Sequence, residues 1–172
     1  MIKPFINVAD VAIQTASPAK APRDENAERY DIRSGEIGSR IGARKLGYNL
    51  TVVGPGKTHC PFHSHRAEEE MFFILEGNGE LRYGDARYAI RAGDVIACPT
   101  GGPETAHQII NTGEIELRYL AVSNQSEVDI CEYPDSGKYL AFADGDTSGA
   151  ATPRQVRVIG RPADSLDYWD GE

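Results

Sequence analysis

Histidine and cysteine are scarce in this chain, at four and three among 172 residues. Cys60, Cys98 and Cys131 are odd in number, widely spaced and without a Cys-x-x-Cys pair, which excludes a disulfide framework, a zinc finger and a thioredoxin-type centre. Free thiols that pack are expected instead. Basic residues are also in deficit: 18 Lys and Arg stand against 26 Asp and Glu, for a formal charge of −8. Binding a phosphate backbone draws on clustered cations, so nucleic acid is not the expected partner. Met1-Ile2-Lys3-Pro4-Phe5 lacks the apolar stretch of a secretory signal, and no run approaches the ~20 apolar residues that cross a bilayer. A soluble cytoplasmic protein without a membrane partner is expected.

What the chain has is punctuation. With 18 Gly, 10 Pro and 8% aromatics, it suits many short strands joined by tight turns better than a helical bundle. The length fits one domain with a substantial core. The fold class expected is therefore all-β.

Three of the four histidines fall in two short stretches. His63 and His65 are two apart, so in a strand they project to one side while Ser64 points away. After a turn, Glu70-Met71-Phe72-Phe73-Ile74-Leu75 alternates with Glu70, Phe72 and Ile74 on one face. The other face is apolar too, which predicts a strand covered on both sides in a barrel wall, with Glu70 at its ligand-bearing end. Two imidazoles and a carboxylate make most of a metal site. A further ligand is available downstream, where Gly93-Asp94 and Pro99-Thr100-Gly101 frame a short apolar run and His107-Gln108-Ile109-Ile110-Asn111 alternates again.

These residues resemble the two motifs of the cupin superfamily, in particular its small single-domain bacterial members. His63, His65, Glu70 and Gly77 meet the first motif, and Gly93, Pro99, Gly101, His107 and Asn111 meet the second. Two departures stand out: the gap between Gly101 and His107 is three residues longer than the usual form, predicting a loop of Gly102-Pro103-Glu104 at the barrel mouth, and Lys57 takes the place of the first motif's leading glycine. Glu68 and Glu69 compete with Glu70, but only Glu70 leaves six residues before Gly77, with Glu69 as the fallback. The resemblance implies a double-stranded β-helix barrel binding one divalent transition metal per chain through His63, His65, Glu70 and His107, with Fe, Mn, Ni, Cu and Zn all open. His59 is separated from the pair by Pro61 and is expected in a surface loop.

Around this centre the chain divides into an N-terminal arm, residues 1–40, a barrel, 41–125, and a C-terminal extension packing on it, 126–172. Tyr48, Leu50 and Val52 share a face of the strand before the motifs. Tyr48 and Phe72 are expected to wall the cavity, with Arg118, or else Lys57 or Arg66, holding a substrate anion. Arg118 shares a face with Leu120 and Val122, which requires an open cavity face or a bulge. Hairpins are expected at Gly84-Asp85 and at Asn111-Thr112-Gly113-Glu114. The arm's Phe5, Ile6, Val8, Val11 and Ile13 have no core of their own, which predicts that they cover a partner's sheet in a homodimer. Ser17 to Arg23 reads as a linker, residues 143–155 as an exposed loop, and Tyr168 and Trp169 are expected to fold back on the barrel.

An open metal position polarises a carbonyl or enediolate oxygen or activates water or dioxygen. Function is accordingly expected to be that of a metal-dependent enzyme on a small oxygenated metabolite, sugar phosphate isomerase or epimerase-like or dioxygenase-like; a non-catalytic small-molecule binding or sensing module is the alternative, and a structural barrel with a vestigial site the third. Fold does not select among them.

Overall fold

Alternating apolar residues between Gly- and Pro-marked turns give thirteen strands in the computed structural model, which describes residues 2–17, 22, 26–143 and 156–172. In chain order they are β1 Gln14–Thr15, β2 Arg33–Glu36, β3 Leu46–Val53, β4 Ser64–His65, β5 Glu70–Glu76, β6 Asn78–Tyr83, β7 Ala86–Arg91, β8 Val95–Cys98, β9 His107–Ile110, β10 Leu117–Asn124, β11 Val128–Tyr133, β12 Lys138–Ala143 and β13 Val156–Gly160. They form three antiparallel sheets, ordered β1-β2-β3-β10-β5-β8, β13-β12-β11-β4 and β7-β6-β9. The architecture is the expected all-β jelly roll. The linker reading of Ser17 to Arg23 falls mostly, and the loop reading of 143–155 almost wholly, outside the described residues.

Inside the barrel, Val53, Phe72, Ile74, Leu81, Ile109, Leu117 and Tyr119 pack into one buried cluster drawn from both the six-stranded and the three-stranded sheet. The opposite face of the six-stranded sheet carries a second cluster, which takes in the arm. Val11 is buried with Ile37 and Leu50, and Ile6, Val8, Ile13, Tyr48 and Leu120 pack around them. Ile6, Val8, Val11 and Ile13 thus cover this chain's own sheet, while Phe5 stays 62% exposed. The arm lies so close that a Cβ on Gly35 would meet Val11 Cγ1 at 2.4 Å, so only glycine fits under it.

The arm stops short of the sheet's far edge. Met71, Phe73 and Val95, on β5 and β8, are 46%, 40% and 63% exposed, so β5 is covered on its inner face and bare on much of its outer one. The turn at Gly84-Asp85 joins β6 to β7 as a hairpin, with Gly84 at φ +52°. The segment after His107 does not make one. β9 pairs with β6, whereas β10 pairs with β3 and β5, so the chain changes sheets between them. Asn111 makes that corner: its buried amide donates to the Val53 and Ile115 carbonyls, and its Oδ1 accepts the Gly113 N–H. The awkwardness at Arg118 resolves as a register shift between Arg118 and Tyr119 against β5.

The extension joins the fold through β11, which pairs with β4 and so adjoins the histidine pair. Its last residues do not fold back. Tyr168 and Trp169 are 83% and 71% exposed and stack edge-on against each other at 4.8 Å. Each ring shields part of the other, which takes the place of the expected docking on the barrel.

Candidate metal centre

His65 ends β4, Glu70 begins β5 and His107 begins β9, so three strands deliver their side chains to one end of the barrel. His63 is tied directly to the second motif: its N–H donates to the His107 carbonyl at 3.2 Å, and the His107 N–H donates back at 2.7 Å. The extra residues before His107 lie in the expected loop between β8 and β9, where Pro103–Thr105 make a 3-10 turn.

One oxygen, Glu70 Oε2, faces all three imidazoles. It lies 2.9 Å from His107 Nε2, 3.5 Å from His63 Nε2 and 3.6 Å from His65 Nε2. The other ring nitrogens are taken: His63 Nδ1 faces the Pro61 carbonyl at 2.8 Å, His107 Nδ1 the Thr105 carbonyl at 3.2 Å and His65 Nδ1 the Asp129 carboxylate at 2.6 Å. A carbonyl only accepts, so on His63 and His107 the single proton of a neutral ring belongs on Nδ1, and Nε2 carries a lone pair. Lone pairs of imidazole and carboxylate aimed at one another repel unless a cation or extra protons lie between them. Bonds of 2.0–2.2 Å to a divalent transition metal place neighbouring donors roughly 3.0–3.4 Å apart. The donor atoms of His63, Glu70 and His107 all lie within 4.8 Å of one another, a set that fits such an ion, and His65 Nε2 adjoins it at 3.6 Å from Glu70.

The electrostatics follow from the same contacts. Burial alone would raise the Glu70 carboxyl, but the His107 and His63 rings hold it well below the usual carboxylate range. Burial opposes charge on His63, and the Cys60 thiol and Glu70 carboxylate outweigh it, raising the imidazole well above its ordinary value. Opposite pH trends result. A depressed carboxyl contributes stability that is present above its ordinary 4.5 and lost as pH falls through the folded value. A raised imidazole contributes stability that is full below 6.5 and lost as pH rises through its folded value. The metal-free protein is expected to be most stable between about pH 4.5 and 6.5. A bound metal, which needs deprotonated ligands, should gain strength as pH rises. Thermal melts with and without chelator check this, and a metal-free midpoint that climbs steadily above neutrality contradicts it.

Beside the cluster opens a cavity of about 810 Å³, lined by His63, His65, Cys60, Glu68, Cys131, Tyr133, Leu140, Phe142 and Arg157. Burial pushes the Glu68 carboxyl up from its ordinary value. A second cavity of about 620 Å³ shares Pro61 and Tyr133 with the first and reaches Arg29, Gln108 and Lys138. His59 lies in the loop between β3 and β4, as expected, where it is half-buried and lines this second cavity, apart from the four donors.

Of the three residues expected to contact substrate, Phe72 alone is near the cluster, its ring 5.6 Å from that of His107. Tyr48 packs under the arm, on the outer face of β3. Arg118 also points outward, 4.0 Å from Glu116, so neither residue reaches the cavity. Arg66 pairs with Glu132 at 2.8 Å, and Lys57 bonds the Glu28 carbonyl. Glu70 is the carboxylate in the cluster, whereas Glu69 is exposed. All three cysteines are free. Asp129, Tyr133 and Arg157 escaped the sequence reading, although Asp129, Cys131 and Tyr133 alternate onto one face and a lone aspartate among apolar neighbours was the available signal.

Residues 49–123 match the family model for the cupin domain. It is similar to an oxalate-binding protein of Thermotoga maritima, 42% identical over 68 residues that are 40% of this chain and 54% of that one. The chain spans about half the length of the curated relatives it matches. Among solved structures, a protein provisionally named a sugar phosphate isomerase from Acidithiobacillus ferrooxidans is 27% identical with a TM-score of 0.65, over 78% of this chain and 80% of that one. A sugar phosphate isomerase from Silicibacter pomeroyi, 21% identical, superposes with a TM-score of 0.75 over 97% and 98% of the two chains and shares the fold. Among the described residues no helix is long and apolar enough to cross a membrane.

Proposed function

We propose that this protein is a metal-dependent enzyme acting on a small oxygenated metabolite, with isomerisation of a sugar phosphate as the leading reaction. The observation that carries the reading is the convergence of three Nε2 atoms on Glu70 Oε2, beside a cavity large enough for a substrate. His63, His65, Glu70 and His107 would hold one divalent ion of Fe, Mn, Ni, Cu or Zn; such an ion, when bound, polarises a carbonyl or enediolate oxygen. The chain's own groups supply the rest. Glu68, with its carboxyl raised by burial, is suited to take a proton from the carbon beside a carbonyl and return it to the neighbouring carbon. Leu140 and Phe142 exclude water from that exchange, and Arg157 offers a cation to a substrate anion.

The similarity to the A. ferrooxidans protein supports isomerisation. The similarity to the oxalate-binding protein supports a second reading, a non-catalytic binder of small anions. A dioxygenase-like reaction is the remaining branch. Reconstitution with each metal, followed by a screen of sugar phosphates with oxygen uptake recorded, tests all three. Isomer interconversion without oxygen uptake is expected; oxygen consumption selects the dioxygenase branch, and tight oxalate binding without turnover selects the binder. The bare outer face of β5 and β8 supports a homodimer, in place of the arm, and light scattering at low concentration tests it.

A further inference from the structure

The role of the strand after the matched cupin domain is open to a physical argument. β11 lies outside residues 49–123 and pairs with β4, setting Cys131 opposite His65 and Glu132 opposite Ser64. Two residues before Cys131, Asp129 lands beside Ala67 and turns its side chain to the same face. It is 1% exposed. A carboxyl this deep needs partners: Oδ1 accepts the Ala67 N–H at 2.7 Å, Oδ2 lies 2.6 Å from His65 Nδ1, and the Glu68 backbone bonds the carboxylate as well.

We infer that Asp129 is the positioning residue of the centre: it holds the proton of His65 on Nδ1 and fixes the ring so that the Nε2 lone pair faces Glu70. The inference rests on the metal reading given above for its consequence, though not for its geometry. His63 and His107 obtain the same service from backbone carbonyls, at 2.8 and 3.2 Å. His65 has no such carbonyl at its Nδ1, and its bond to Asp129 is the shortest of the three. A carboxylate orients an imidazole and raises its basicity as a ligand, more than a neutral carbonyl does. The C-terminal extension would then be part of the centre rather than an appendage, since the third imidazole is aimed by a residue 64 positions further along the chain.

Asparagine at position 129 keeps the size of the side chain but has one acceptor oxygen, so it cannot accept from both Ala67 and His65. Long-range 1H–15N correlation spectra of the metal-free protein are expected to give His65 as the Nδ1–H tautomer, with Asp129→Asn shifting it toward Nε2–H. Competitive zinc titration is expected to show Asp129→Asn losing roughly 10- to 100-fold in affinity. In a His65→Ala background the same change should cost nothing further, because the ring it orients is gone. An Nε2–H tautomer in the wild type overturns the inference, as does an equal loss of zinc affinity in both backgrounds, which would mark a general structural role. If Asp129→Asn does not fold, the wild-type tautomer decides alone. If the wild-type protein takes up no zinc, the metal reading falls, while Asp129 still stands or falls on the tautomer.

Discussion

Glu68→Gln is expected to lower turnover by roughly 100- to 10,000-fold, the range for loss of a positioned acid–base group, while leaving metal content unchanged. The amide matches the carboxyl in size, so packing along the cavity is kept. What it loses is the ability to exchange a proton. Glu68 is the carboxyl that lines the open cavity, and burial has raised it toward the working range of a general base. It also accepts the Ser126 N–H at 3.2 Å, a bond that the glutamine Oε1 can keep. Steady-state rates on the substrate found in the reconstitution screen, with metal assayed in the same samples, check the separation. Equal turnover by the variant would remove Glu68 from the mechanism, and loss of metal together with turnover would make it a ligand.

His107→Ala should weaken metal binding by more than ~100-fold, the upper end for a residue that only supports a ligand. It should also destabilise the metal-free protein. His107 makes the shortest contact in the cluster, 2.9 Å to Glu70, and is nearly fully buried. In the metal-free protein, where a proton rather than a metal lies between the two groups, removing it strips the Glu70 carboxylate of its nearest partner, an effect that reaches about 3–5 kcal/mol when a buried pair is broken outright. Here His63 and His65 remain at 3.5 and 3.6 Å, so the lower part of that range is expected. His59→Ala serves as the comparison. Its ring lines the other cavity, and its loss should leave metal affinity as it was. Isothermal titration of both variants, with denaturant melts of the metal-free forms, measures the two effects separately.

The centre was legible because it depends on short-range rules. Alternation puts His63 and His65 on one side and Glu70 at the head of an apolar strand face, and the spacing of two motifs selects Glu70 over its neighbours. The errors arose where a residue's role is set by what lies across a sheet. Tyr48-Leu50 and Thr51-Val53 alternate equally well on β3, and nothing local says which face turns inward; the structure turns Val53 in and leaves Leu50 and Tyr48 to the arm. The same ambiguity misplaced Arg118, although the bulge beside it was readable from the conflict in its strand. The turn at Asn111 looked like a hairpin because two strands flank it, yet their partners lie elsewhere in the chain. Asp129 was hidden for a like reason, since its meaning comes from a histidine on another strand.

The central claim, that His63, His65, Glu70 and His107 share one metal ion, is tested most directly on protein purified without chelators or a metal-affinity tag. Elemental analysis and X-ray absorption at the edge of the metal found should be run on the same sample. The account predicts about one ion per chain, with scattering from three imidazoles and oxygen neighbours near 2.0–2.2 Å. Protein that carries no metal, takes none up on reconstitution, or gives a sulfur-dominated shell at about 2.3 Å from Cys60 or Cys131 would contradict it.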